Sequence, residues 1–410
     1  EEWQWKGWSK NTKFSNVMVT PVVGDLDADG TPEVIFAAYN GANTNQCMLI
    51  VLDGATGKEE LAIPYTTLAV RPGMGAAVGN LDGDKELEIV VGASGKGLVV
   101  LEHDGKIKWA NKAGTLNLIA TNSAYAQPSI ADVDGDGKPE ILVSGVLVSA
   151  AGAIMIDNGK LGVQGSWSAS TLADLDEDGD LEVIGGNAAY HHTGKLMWQN
   201  TKVPNGFPAV ADMDHDGWAD VINVAGGKVY VLTGTGKSAK TPGGIIFGPV
   251  PIPGGGNGGA PTVGDFDGDG NPEISTAGKG AYTVYDLDCS ATGTAKTCHT
   301  GRKDGILWTV KTQDISSSVT GSSLFDFEGD GKVEVIYNDE CFLRVYDGRT
   351  GTKLLEEENT SRTAMEYPLV VDVDGDNNSE ILVASNNDQI VRDKCKAPGT
   401  TGIRVYGDSA

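Results

Sequence analysis

The sequence predicts an all-β fold of repeated four-stranded sheets, on three observations. One acidic phrase recurs eight times, each recurrence is flanked by short β-branched runs, and glycine supplies 57 of 410 residues against 16 prolines. So much glycine without a collagen-like period fits many tight turns between short strands. With 40% hydrophobic and 21% charged residues, the composition excludes a disordered acidic chain.

The phrase is an apolar pair, a small residue, Asp-x-Asp-x-Asp-Gly, then a carboxylate and a β-branched run. It begins at Asp25, Asn80, Asp132, Asp174, Asp212, Asp265, Asp326 and Asp372, at intervals of 38 to 61 residues. A first strand precedes each loop, as in Val22-Val23, Ser129-Ile130 and Ala209-Val210. A second follows it, as in Val34-Ile35-Phe36, Ile89-Val90-Val91 and Ile381-Leu382-Val383. These continuous apolar runs are those of strands buried on both faces. Third strands follow at Leu49–Leu52, Leu98–Leu101, Val229–Leu232 and Leu343–Tyr346. Fourth strands often carry a tryptophan, Trp109, Trp198 or Trp308, expected to serve packing rather than as a sugar-stacking platform. No amphipathic helix is evident.

Four strands per unit, eight times over, predict an eight-bladed β-propeller filling residues 1–410 as one domain. The last unit stops after its third strand, Ile403–Tyr406, and Trp3-Gln4-Trp5 resembles a fourth strand. Residues 1–8 are therefore expected to complete the last blade and close the ring. Seven blades with an extra hairpin is the other count.

Carboxylates at loop positions 1, 3 and 5, with glycine at 6, suit a hard, oxygen-seeking cation of flexible geometry, Ca²⁺ rather than Mg²⁺. Position 7 would add a backbone carbonyl and position 9 a further carboxylate. The candidate ligands are Asp25, Asp27, Asp29, Thr31 and Glu33, then Asn80, Asp82, Asp84, Glu86 and Glu88. The third and fourth loops offer Asp132, Asp134, Asp136, Lys138 and Glu140, and Asp174, Asp176, Asp178, Asp180 and Glu182. The fifth and sixth offer Asp212, Asp214, Asp216, Trp218 and Asp220, and Asp265, Asp267, Asp269, Asn271 and Glu273. The last two offer Asp326, Glu328, Asp330, Lys332 and Glu334, and Asp372, Asp374, Asp376, Asn378 and Glu380.

Five loops match in full. The second has Asn80 at position 1 and Lys85 in place of glycine, the seventh has the longer Glu328 at position 3, and the eighth has Asn377 for glycine. Ca²⁺ is expected at five sites and at up to eight. An EF-hand is excluded, because position 12 holds residues such as Phe36, Val91 and Val143, not glutamate. Alternating carboxylates repel one another unless a cation compensates.

Positions 1, 3, 5 and 9 absorb 31 of the 56 acids, leaving 25 against 31 Lys and Arg. The net charge of −25 is thus mostly metal ligand. It still makes nucleic acid a poor partner. No run approaches 18 apolar residues, so no membrane insertion is expected. The chain opens at Glu1 without Met, as a processed segment would.

Asp-x-Asp-x-Asp-Gly-x-x-Glu between two buried strands resembles the FG-GAP/VCBS repeat, which builds the propeller of integrin α subunits and of many secreted bacterial proteins. The resemblance covers nearly the whole chain. It implies calcium loops on one rim and partners on the opposite rim. The links expected there include 39–47, 64–75, 112–127, 145–152, 242–260, 359–367 and 385–402. They present Tyr65, Arg71, Asn122, Tyr125, Gln127, Phe207, Arg362, Tyr367, Asn386, Asn387 and Asp388, groups suited to sugar hydroxyls or a protein loop.

The function expected from the resemblance is a secreted or cell-surface adhesion or recognition module for a glycan or extracellular protein, or a structural subunit of a surface assembly. Rhamnogalacturonan lyases also resemble this repeat, so a calcium-dependent polysaccharide lyase is the alternative. A lyase needs a base. The cluster available for it is Tyr190-His191-His192. Five cysteines point to an oxidising compartment. Cys289 and Cys298 flank a turn and could pair, and Cys395 could reach either Cys47 or Cys341.

Overall fold

The computed structural model describes residues 1–407 apart from 42, 122–124, 160, 165–166, 236–240, 292–297, 317, 388 and 396–397. The chain is all-β and divides into two compact units, Glu1–Lys160 with Asn359–Ala410, and Leu161–Glu358. Among the described residues, eight antiparallel sheets have four or more strands, one for each acidic loop.

The first unit holds sheets one, two, three and eight. Sheet two shows the plan: Ala77–Gly79, Glu88–Ala93, Gly97–Leu101 and Ile107–Asn111, each paired with the next. Sheet three repeats it with Ser129–Ala131, Glu140–Val143, Val146–Ser149 and Ile154–Asp157. Sheet one has Val22–Gly24, Glu33–Asn40, Asn43–Asp53 and Glu59–Ile63, plus a fifth strand, Phe14–Val17, on the far end of Glu33–Asn40. Sheet eight has Leu369–Val371, Glu380–Ser385 and Gly402–Tyr406, and its outer strand is the N-terminal Trp3–Trp5. The expectation that the chain's start completes its last sheet is met.

The second unit holds sheets four to seven. Their second strands are Glu182–Gly185, Asp220–Ala225, Glu273–Gly278 and Glu334–Asn338. Burial follows strand order in both units. Every residue of these four is buried, whereas the fourth strand Lys353–Glu358 is exposed throughout. The core lies between consecutive sheets: Val90 and Val100 meet Ile141 and Val148, and Ile184 and Ala189 meet Val221 and Leu232.

Tryptophans couple consecutive sheets. The indole N–H of Trp3, Trp109, Trp198 and Trp308 donates to the carbonyl of Gly54, Ala150, Gly234 and Gly348, at 2.6–2.8 Å, in the turn of the next sheet. Each ring lies over a turn glycine, Gly57, Gly152, Gly243 or Gly351, where a Cβ would come within 2.9 Å of it. The tryptophans therefore pack between sheets, as expected.

Three local expectations are corrected. Residues 145–152 are not a link, because Ser144 and Gly145 (φ 52° and 78°) form a tight turn into the strand Val146–Ser149. Residues 242–260 contain the strand Ile245–Pro251, whose register shifts absorb its Gly-Pro pair. Two short helices, Asn117–Ala120 and Gln389–Cys395, sit in segments expected to be loops. Four and seven residues are too few for a helical period to register in sequence. Among the described residues no helix is long and apolar enough to cross a membrane.

Cys289 and Cys298 form a disulfide, and the turn residues 292–297 between them lie outside the described residues. Cys341 and Cys395 are each disulfide-bonded. Cys47 is a buried free thiol, so it is not the partner of Cys395.

Candidate functional site

All eight acidic loops close in the same way. The residue before position 1 pairs with position 9, as in Gly24 with Glu33, Ala131 with Glu140 and Val371 with Glu380. Position 9 is the first residue of the second strand in every sheet, and it is buried: Glu33, Glu88, Glu140, Glu182, Asp220, Glu273, Glu334 and Glu380. One oxygen of each accepts the backbone N–H of position 2, at 2.6–3.2 Å. Position 2 is a buried apolar plug in seven loops, such as Leu26, Val133 and Phe266, whereas Phe327 in the seventh is exposed.

The backbone then turns back on itself. Position 4 has positive φ in all eight loops, including the non-glycine residues Ala28, Glu177 and His215. Position 6 has positive φ in seven, Asn377 among them and Lys85 excepted. Glycine or asparagine is favoured where Cβ would clash in this region. The requirement at position 4 was not read from the sequence, although Gly83, Gly135, Gly268, Gly329 and Gly375 all stand there. The aspartate at position 1 accepts the N–H of position 6, as from Gly30 to Asp25 at 3.0 Å and from Gly270 to Asp265 at 2.9 Å. Position 5 accepts the N–H of position 7, as from Thr31 to Asp29 at 2.8 Å.

These bonds converge the carboxylates. In the first, third and fourth loops, oxygens from Asp25, Asp27 and Glu33, from Asp132, Asp134 and Glu140, and from Asp174, Asp176 and Asp178 lie within 4.8 Å of one another. The second oxygen of Glu33, Glu140, Glu273 and Glu380 takes no hydrogen bond from a described residue. Burial, with neighbouring aspartates adding to it, pushes Glu33 up to about 7, Glu273 to about 9 and Glu380 to about 6. A desolvated carboxylate with an open oxygen, ringed by other oxygens, fits a hard divalent cation.

The second loop differs. The ammonium of Lys108, from the fourth strand, lies 2.6 Å from Asp82, 3.0 Å from Glu88 and 3.3 Å from Glu102. Burial pulls its pKa down, but those three carboxylates outweigh it and the net shift is upward. A tethered cation therefore sits among this loop's acids. The sequence hides it, because Lys108 is 20 residues beyond Glu88 on a different strand.

The histidines also turn to the loops. His191 is 3.2 Å from Glu182, His192 is 3.1 Å from Asp180, and His299 is 2.9 Å from Asp267. Tyr190, the third member of the sequence cluster, ends the strand Ala188–Tyr190. The structure thus places the candidate base residues beside the fourth acidic loop.

Of the residues expected on the opposite rim, the structure brings Arg71, Tyr125 and Arg362 together in one pocket of about 280 Å³ in the first unit. Phe207 is buried in its sheet, which removes it from any exposed surface. Tyr65 stacks on Phe14 at 5.7 Å, and the hydroxyl of Tyr367 meets the sulfur of Met365. Asn386 is buried, donating to Glu366 and to the carbonyl of Val17. Gln127 packs against Gly75, and the backbone N–H of Asn387 donates to Asn16. Asn122 and Asp388 lie outside the described residues.

What the sheets and loops define is a repeat protein in which each sheet carries one acidic loop between its first two strands. A family model described as the FG-GAP-like repeat matches residues 80–143 and 212–275, so the chain carries FG-GAP-like repeats. Among solved structures, the chain is similar to the V. cholerae biofilm matrix protein Bap1, at 18% identity and a TM-score of 0.77, covering 100% of this chain and 90% of that one. It is also similar to a Bacillus licheniformis rhamnogalacturonan lyase, at 16% identity and a TM-score of 0.61, covering 94% and 74%. A second rhamnogalacturonan lyase, YesW, is similar at 17% identity and a TM-score of 0.60, covering 95% and 71%. At these identities the likeness concerns the fold. No curated protein matches by sequence.

Proposed function

We propose that this chain is a secreted or cell-surface calcium-binding β-propeller that recognises a glycan or an extracellular protein. The observation that carries this reading is the eightfold recurrence of an acidic loop ending in a buried carboxylate. In the proposal the eight sheets are the blades of one ring, with Trp3–Trp5 completing the last blade. Calcium fills the loops other than the second, held by the carboxylates at positions 1, 3, 5 and 9. In the second loop the ammonium of Lys108 supplies that charge. The fold likeness to a biofilm matrix protein and the disulfides support an extracellular setting.

Calcium here neutralises the loops and pins the first two strands of each sheet together, so its role is structural. The opposite strand ends are left to engage partners. The histidines beside Tyr190 face the fourth acidic loop, which disfavours a lyase built on them. A glycan array probed with and without calcium tests the reading. Binding to a defined glycan class, lost on chelation, is expected. Release of unsaturated, ultraviolet-absorbing product from an acidic polysaccharide would replace it with the lyase.

A further inference from the structure

Arg71 is 5% exposed, yet no described carboxylate pairs with its guanidinium. Its Nε donates to the carbonyl of Ile119 at 2.7 Å and its Nη2 to that of Ala120 at 2.9 Å. Carbonyls fix the plane of the group but do not cancel its charge. The titratable groups acting on it are the Cys47 thiol, whose pKa burial pushes up, and the Tyr125 hydroxyl, and neither is a carboxylate. Burial accordingly pulls its pKa below the usual arginine value. A buried charge with no counter-charge is costly, and buried charges are ordinarily paired.

This arginine lines the pocket of about 280 Å³, together with Arg362, Tyr125, Thr44, Pro72 and Met18. The pocket lies at the strand ends away from the acidic loops. Thr44 is near the start of the strand Asn43–Asp53, and that strand's other end, Asp53, pairs with loop residue Glu33. Two guanidiniums on one small cavity select a planar anion, which arginine grips in a two-point fork. The volume suits one sugar ring, and a tyrosine and a proline offer it an apolar flank with a hydroxyl close by.

We propose that the Arg71–Arg362 pocket binds the carboxylate of an acidic sugar unit, so that the glycan recognised is a uronate-bearing one. This rests on the glycan branch of the recognition reading. The anion supplies the counter-charge that Arg71 lacks, and Arg362 lines the same pocket from the segment 359–367.

The test is titration calorimetry on the full chain in saturating calcium, with three probes: oligogalacturonate, a neutral galactose oligomer of equal length, and free galacturonic acid. Oligogalacturonate is expected to bind at least tenfold more tightly than the neutral oligomer, with the free acid competing at the same site. Arg362→Gln and Arg71→Lys should each weaken oligogalacturonate binding at least tenfold. Arg71→Lys keeps the buried charge but gives up the fork and the paired bonds to Ile119 and Ala120, so a single cooperative melt must show that it is folded, and Arg362→Gln carries the test by itself if it is not. Equal binding of acidic and neutral oligomers, or binding unchanged in both variants, would overturn the proposal and leave the recognition reading standing. Binding of none of the three removes the pocket proposal, and silence across the whole glycan array removes the glycan reading with it.

Discussion

In the proposed reading, Lys108 takes over an ion's work in the second loop. It reaches Asp82 and Glu88 in the one loop whose first ligand is an asparagine, and Glu102 just past the third strand. Lys108→Met should leave Glu88 with only the Leu81 N–H on one oxygen and no partner on the other, and cost about 1–3 kcal/mol, the range for a buried polar group left unsatisfied. Urea midpoints measured in chelator check this, and an unshifted midpoint would contradict it. Glu273 makes the complementary prediction. Its folded pKa, about 9, lies above its unfolded value near 4.5 because burial disfavours the charged form. In calcium-free protein its contribution is therefore fully present below about pH 4.5 and is lost as pH rises towards about 9. Thermal melts in chelator should fall in temperature across that window, and Glu273→Gln should flatten the profile. Melts that rise with pH would refute the assignment. Neither effect is legible in sequence, since each depends on which carboxylates the fold desolvates. The ligand spacing itself was legible, because the loop is local and its hydrogen bonds span at most seven residues, from position 2 to position 9.

At the scale of the element, the first two strands and their loop form one covalent hairpin. This is why their boundaries were readable from β-branched runs and acids alone. Fourth strands were harder, because they are more exposed than the second strands and their tryptophans bond to the next sheet. The tryptophans were visible, but not their spacing: Trp3, Trp109, Trp198 and Trp308 belong to the eighth, second, fourth and sixth sheets, so alternate sheets carry the lock. Gly152 tests it. At φ 86°, with a Cβ 2.8 Å from the Trp109 ring, Gly152→Ala combines backbone strain with overpacking and should cost about 2–4 kcal/mol. Chemical denaturation measures the loss, and a cost below about 0.5 kcal/mol, typical of an exposed surface site, would contradict the lock. The misread segments 145–152 and 242–260 fail for a related reason. A two-residue turn and a bulged Gly-Pro strand both resemble a polar link when only composition is weighed.

For the whole molecule, composition carried more than its −25 first conveys. More than half of the acids stand at four positions of a repeated loop, and the structure gathers them at the heads of buried strands. If calcium fills the loops as proposed, folding stability is conditional on a divalent cation. Each occupied site adds about 2.7 kcal/mol when free calcium is a hundredfold above its Kd. The most direct test is the thermal melt of the purified chain at neutral pH in millimolar calcium, in excess chelator, and after calcium is restored. A markedly lower melting temperature in chelator and full recovery with calcium are expected, and superimposable curves would contradict the calcium assignment.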